Sequence, residues 1–195
     1  MVTRRSLIGI GGSAVLLGVM GAGATGLVPG VSAVMGTAAP RDLGVRYTRA
    51  DYESGLAKIP GHTVSNPEFM CFTCDYKSRG SVPADATFTQ EEFTAQVNVL
   101  NSEKGPISDA QIRFNGDGSI ESSASVTHEW FTGPVYAKGQ VGDYSSRGVE
   151  LAIAKGEVGR IGMNQSQTDD ASRVANRVVR DFFTQNPGLS VESLE

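Results

Sequence analysis

Between Arg5 and Arg41 the chain carries no charged residue. Within that gap Leu7 to Val28 forms an apolar run, ended by Pro29-Gly30. A helix crossing a hydrocarbon core of about 30 Å needs roughly 20 such residues, so the run is long enough for one membrane span. Nothing beyond residue 40 is comparably apolar. The pattern predicts a cytoplasmic stub and transmembrane anchor over 1–39, a linker over 40–47 and a polar domain over 48–195. Arg4 and Arg5 ahead of the run place the N-terminus in the cytoplasm and the domain on the far side. The expected location is a bacterial cytoplasmic membrane, crossed once.

A cleaved signal is the alternative to a retained anchor. Val31-Ser32-Ala33 and Thr37-Ala38-Ala39 have small residues at cleavage-compatible spacing, but the apolar run exceeds the roughly 7–15 residues usual for a signal, which favours retention. Thr3-Arg4-Arg5-Ser6-Leu7-Ile8 resembles a twin-arginine export signal without its usual Phe. Gly18, Ala22, Gly26 and Gly30 recur every four residues. That puts small residues on one helix face, where a second membrane helix can approach closely. Other glycines lie off that face, so the alternative is a segment simply rich in small residues.

Without Arg4 and Arg5 the chain has 15 Lys and Arg against 21 Asp and Glu, a formal charge near −6. This argues against nucleic acid as a partner, since phosphate binding needs a basic face. It argues equally against electrostatic docking on anionic lipid.

The polar domain reads as α+β. Thr48-x-x-Asp51 and Thr89-x-x-Glu92 are helix-start signatures. The first precedes Tyr52, Leu56 and Ile59 and the second precedes Phe93, Val97 and Leu100, each set at helical spacing. Ala110, Ile112 and Phe114 alternate with polar residues, which is strand period. Asn115-Gly116-Asp117-Gly118 is a hairpin turn, and Ile120, Ser122, Ala124 and Val126 lie on one side of the return strand. Further strands are expected over Val135–Val141 and Val149–Ala154, with Glu157–Ile161 pairing beside the latter. A third helix is expected to open at Asp169 or Asp170, with Val174, Ala175, Val178, Val179, Phe182 and Phe183 on its apolar face. Leu189–Leu194 reads as a last strand. The expected fold is an antiparallel meander sheet with two or three helices packed on it.

Few residues suggest chemistry. Cys71 and Cys74 are the only cysteines. They read as a local disulfide, a redox pair or part of a metal site. His62 and His128 are the only histidines and complete a zinc-like ligand count, though their separations match no zinc-finger spacing. No cofactor is expected. Asn115, Asp117, Ser119 and Glu121 alternate as in a calcium loop, but the loop's sixth and twelfth positions hold Ile120 and Val126, which fits a plain turn better. Acidic pairs such as Glu91-Glu92 and Asp169-Asp170 fall at helix starts, where they offset the dipole. On the hairpin, Ser122 and Ala124 stand where large apolar residues are usual. With Val178 and Phe182 they outline a candidate apolar-ligand face, the alternative being close helix packing.

Three stretches carry a family resemblance: Phe88–Asn101 with Pro106–Val126, Gly133–Met163, and Val178–Glu195. Their order resembles the YpmS-like group of membrane-anchored, extracytoplasmic bacterial proteins of unknown function. The run matching that group's helix is Thr89 to Asn98, and Glu121 matches an acidic residue on its strand. The resemblance implies a curved sheet around a long helix, with an assembly role or an apolar ligand. It carries over no catalytic residue.

The expected function is therefore a non-enzymatic accessory subunit of a membrane protein complex, with the lipid bilayer and integral membrane proteins as partners. A tethered lipid binder is the second expectation, and a redox or metal protein centred on Cys71 and Cys74 the third.

Overall fold

The computed structural model describes residues 39–58, 87–102, 105–128, 131–145, 148–159 and 161–185. Among these residues two helices come first, α1 (Arg49–Ala57) and α2 (Gln90–Asn101). Five strands follow: β1 (Ile107–Phe114), β2 (Ser119–His128), β3 (Phe131–Ser145), β4 (Gly148–Val158) and β5 (Ile161–Gly162). Helix α3 (Gln165–Gln185) is last. The strands form one antiparallel sheet in the order β1-β2-β3-β4-β5, a meander. The α+β class and the meander agree with the sequence.

Local chemistry sets most boundaries. Thr48 and Asp51 form a capping box at α1, and Thr89 and Glu92 form another at α2. Helix α3 opens a turn earlier than Asp169. Asn164 accepts from the Gln167 N–H at 3.0 Å, and Gln167 Oε1 accepts from the Asn164 N–H at 2.8 Å. This reciprocal pair is a capping box built from amides, and it outcompetes the acidic start. The β1–β2 turn places Gly118 at φ 79°, and the Asn115 N–H donates to the Ser119 carbonyl at 2.9 Å. Gly159, at φ 63°, lets β4 turn into β5, so Val158 pairs with Ile161.

Alternation divides the sheet into two faces. Ile112, Ser122, Ala137 and Gly156 are in register across four strands on the core face. Around that row the core gathers Val97 of α2, Ile107, Ile120, Val126, Val135, Leu151 and Ile153 of the sheet, and Ala171, Ala175 and Val179 of α3.

Helices α2 and α3 also close the two edges of the sheet. Gln90, Thr94 and Asn98 of α2 accept from the N–H groups of Phe114, Ile112 and Ala110 at 3.2, 3.0 and 2.9 Å. The Asn98 amide also donates to the Ala110 carbonyl at 2.8 Å. At the opposite edge Asn176 of α3 accepts from the Leu151 N–H at 2.7 Å and donates to its carbonyl at 3.1 Å, while Ser172 accepts from the Ile153 N–H at 2.9 Å. Four helical residues rise about 6 Å and two strand residues about 6.7 Å. Side chains four apart on a helix therefore match the outward backbone groups of a strand edge.

The expected membrane span and its glycine face fall at Gly18, Ala22, Gly26 and Gly30, outside the described residues. So does the expected strand Leu189–Leu194. Among the described residues no helix is long and apolar enough to cross a membrane.

Replacing Asn98 by Leu strands the buried N–H and C=O of Ala110, each costing roughly 1–3 kcal/mol when unpaired. Urea denaturation should show a loss of about 2–5 kcal/mol on that scale. Light scattering should show new association through the opened β1 edge.

Candidate functional site

The face of the sheet opposite the core carries Gln111, Arg113, Glu121, Ser123, Tyr136, Lys138, Lys155 and Glu157. Cross-strand register places Gln111 beside Ser123 and Ser123 beside Tyr136. It likewise places Arg113 beside Glu121 and Glu121 beside Lys138. Residues 41–46 cross this face as a strap.

Leu43 and Val45 are buried there and cluster with Tyr136. The strap is a turn made by its own side chains. Asp42 accepts from the Gly44 N–H at 2.8 Å and takes both Arg46 Nη atoms, at 2.8 and 2.7 Å. Gly44 sits at φ 76°, a conformation that suits glycine. That turn aims the N–H groups of Leu43 and Val45 at a single oxygen, Gln111 Oε1, at 2.9 and 3.3 Å. Such converging amides form a nest for an oxygen ligand, here an amide oxygen of the chain itself.

The N-terminal end of the strap meets a charge on the sheet. Arg41 reaches Glu157 at 2.6 Å, and its guanidinium lies 3.9 Å from the Tyr136 ring centroid. Lys155 takes the other Glu157 oxygen at 3.0 Å. In the centre Arg113 donates to the Leu43 carbonyl at 3.3 Å and to Glu121 at 2.8 Å. Glu121 is 7 % exposed and also accepts from Asn115 and the Tyr136 hydroxyl, each at 3.0 Å.

These contacts move the titrations. Burial pulls the Glu121 carboxyl up, but hydrogen bonds from Arg113, Asn115 and Tyr136 outweigh it and hold the group below its ordinary value. Glu157 follows the same balance, with Lys155 and Arg41 opposing burial. Burial and the neighbouring Glu121 push the Tyr136 hydroxyl up to about 12. Glu121 is thus an ionised hub and Tyr136 a neutral donor across the neutral range.

The residues singled out from sequence fall elsewhere. Ser122 and Ala124 lie fully buried on the core face, where their small size suits close packing. The Ser122 hydroxyl has no partner. Val178 and Phe182 belong to α3, and His128 ends β2 opposite Phe131. Cys71, Cys74 and His62 lie outside the described residues. Among the described residues no cluster of His, Cys, Asp and Glu is placed to hold a metal ion. The alternating residues of the β1–β2 turn bond to one another. Asp117 accepts from the Ser119 N–H and hydroxyl at 2.9 and 2.6 Å, and Asn115 donates to Glu121, so the turn is a hairpin rather than a cation loop.

Sequence reasoning did not anticipate the strap. Its one available signal was the apolar alternation of Leu43 and Val45 between Asp42 and Arg46, inside a segment read as a linker.

The depressed Glu121 carboxyl contributes stability that is present above its unfolded value of about 4.3 and lost as pH falls through the folded value. Glu121→Gln should therefore cost roughly 1–3 kcal/mol at neutral pH and progressively less below about pH 4. Urea denaturation of both proteins across that range checks the sign.

No family model, curated protein or solved structure matches the chain; its role has to be argued from its own residues and geometry.

Proposed function

We propose that the chain is a non-enzymatic accessory subunit of a membrane protein complex, held by a single N-terminal span with its α+β domain outside the cytoplasm. The observation that carries this reading is the clamp on Arg41. Arg41 is the first charged residue after the uncharged stretch, and it is tied to Glu157 and Tyr136 on the sheet. The segment leaving the anchor is therefore part of the domain from its first charge onward. A flexible tether would let the domain sample many orientations. A tether whose last residues are fixed to the sheet leaves the domain fewer orientations to sample, which lowers the entropic cost of a lateral contact. In the sequence, Gly18, Ala22, Gly26 and Gly30 recur at the four-residue spacing that favours close approach of a partner helix.

A tethered binder of an apolar molecule is the second reading, favoured by the unpartnered Ser122 hydroxyl beside Ala124 and Ala137. The complete burial of those three residues weighs towards packing. Native mass spectrometry of the domain separates the readings by showing a bound lipid or none.

Extraction from native membranes in mild detergent should yield the chain in a stoichiometric complex. Migration as a lone monomer would remove the proposal. Inserting about ten Gly and Ser residues between Ala39 and Pro40 should leave the thermal midpoint unchanged and lower recovery of the partner, because only the fixed orientation is lost.

A further inference from the structure

The strap, like the helices and unlike the strands, is held to the sheet without a backbone ladder. Among the described residues it makes no backbone–backbone hydrogen bond to a strand. Its polar ties to the sheet run through side chains: Glu157 to Arg41, Arg113 to the Leu43 carbonyl, and Gln111 to the Leu43 and Val45 amides and to Arg46. Its internal turn is built on Asp42, Gly44 and Arg46, and Arg46 also reaches Gln111 Oε1 at 3.4 Å. Release of the strap therefore breaks no rung of the sheet's ladder.

Closure also leaves polar atoms unsatisfied. Ser123 sits between Gln111 and Tyr136, the residues that receive the strap, and its buried hydroxyl has no partner. The buried Nε of Arg113 has none either. Both atoms regain water when the strap lifts, which offsets part of what burying Leu43 and Val45 contributes. The ties lie in series across the sheet, from Glu157 on β4 through Tyr136 on β3 and Arg113 on β1 to Gln111 on β1. Displacement at the N-terminal end loads the Arg41–Glu157 pair first.

We propose that residues 41–46 form a releasable strap that peels from Glu157 towards Gln111 while the sheet and helices stay folded, uncovering a polar face of Gln111, Arg113, Ser123 and Tyr136. The strap thereby couples the attitude of the N-terminal segment to the accessibility of this face. Opening needs no membrane partner, so the lone-monomer result that removes the accessory role leaves this proposal standing.

Native-state hydrogen exchange on the full chain tests it. The Leu43 and Val45 amides should be protected, yet exchange at least roughly 100-fold faster than the β3 amide of Ala137, by local opening. Glu157→Gln should accelerate both strap amides about two- to fivefold, the weakening expected for one partly exposed ion pair, while Ala137 stays at least roughly tenfold slower than either. Arg41→Ala should do the same from the other partner. Exchange of all three amides at one rate would overturn the proposal, because the strap would then open only on global unfolding. So would strap amides with no protection, or strap amides indifferent to both substitutions.

Discussion

The sheet depends on two helices whose polar side chains take the place of missing strands. A sheet edge presents unpaired N–H and C=O groups, and natural proteins must cover or disrupt such edges. Here α2 covers β1 with Gln90, Thr94 and Asn98, and α3 covers β4 with Ser172 and Asn176. Both helices run antiparallel to the strand they serve. The near-equality of four helical rises and two strand rises allows this, over a distance short enough that the mismatch does not accumulate. The same residues set the depth of each helix. A hydrogen bond of 2.7–3.2 Å brings the helix close, and the small Ala171 and Ala175 on α3 accommodate that approach.

With both edges occupied, the middle strands carry the row Ser122, Ala137 and Gly156 on the core side. The opposite face is built around ionised Glu121. A buried carboxylate is tolerated only with partners, and Glu121 has Arg113, Asn115 and Tyr136. A second carboxylate, Glu92, plays the equivalent part between helices. Its charge caps α2, accepts from Ser54 of α1 at 2.7 Å and holds Lys58 at 2.6 Å, which docks α1 beside α2. Gly55 packs there against Gln96, whose amide reaches the Tyr52 carbonyl at 3.2 Å.

What the sequence made legible were features decided within a few residues. Thr48 with Asp51 and Thr89 with Glu92 announce helix starts because a capping box needs only three neighbours. Asn115 to Gly118 announces a hairpin because its backbone requires glycine. What stayed hidden was decided at long range. Thr94 and Asn98 look like the solvent side of an amphipathic helix, and only the position of β1 makes them interior. Asn164 and Gln167 cap α3 through amides, a weaker motif than the Asp169-Asp170 pair that drew attention. Arg113 and Glu121 read as ordinary polar alternation, and nothing local says that a segment 70 residues away will lie over them. The candidate site is therefore the part of the molecule least visible in one dimension, since the ties between strap and sheet join distant positions.

The Arg41–Glu157 tie spans 116 positions in the chain. Each strand pair, by contrast, joins neighbours in the meander and closes through a short turn. Loops this unequal close at very different rates. As the polypeptide lengthens from its N-terminus, residues 41–46 exist long before β4 does. Their resting place is completed only when β4 has been added and paired. The strap, made early, is thus among the last segments to find its seat, and a chain that ends before β4 leaves the face it will cover incomplete.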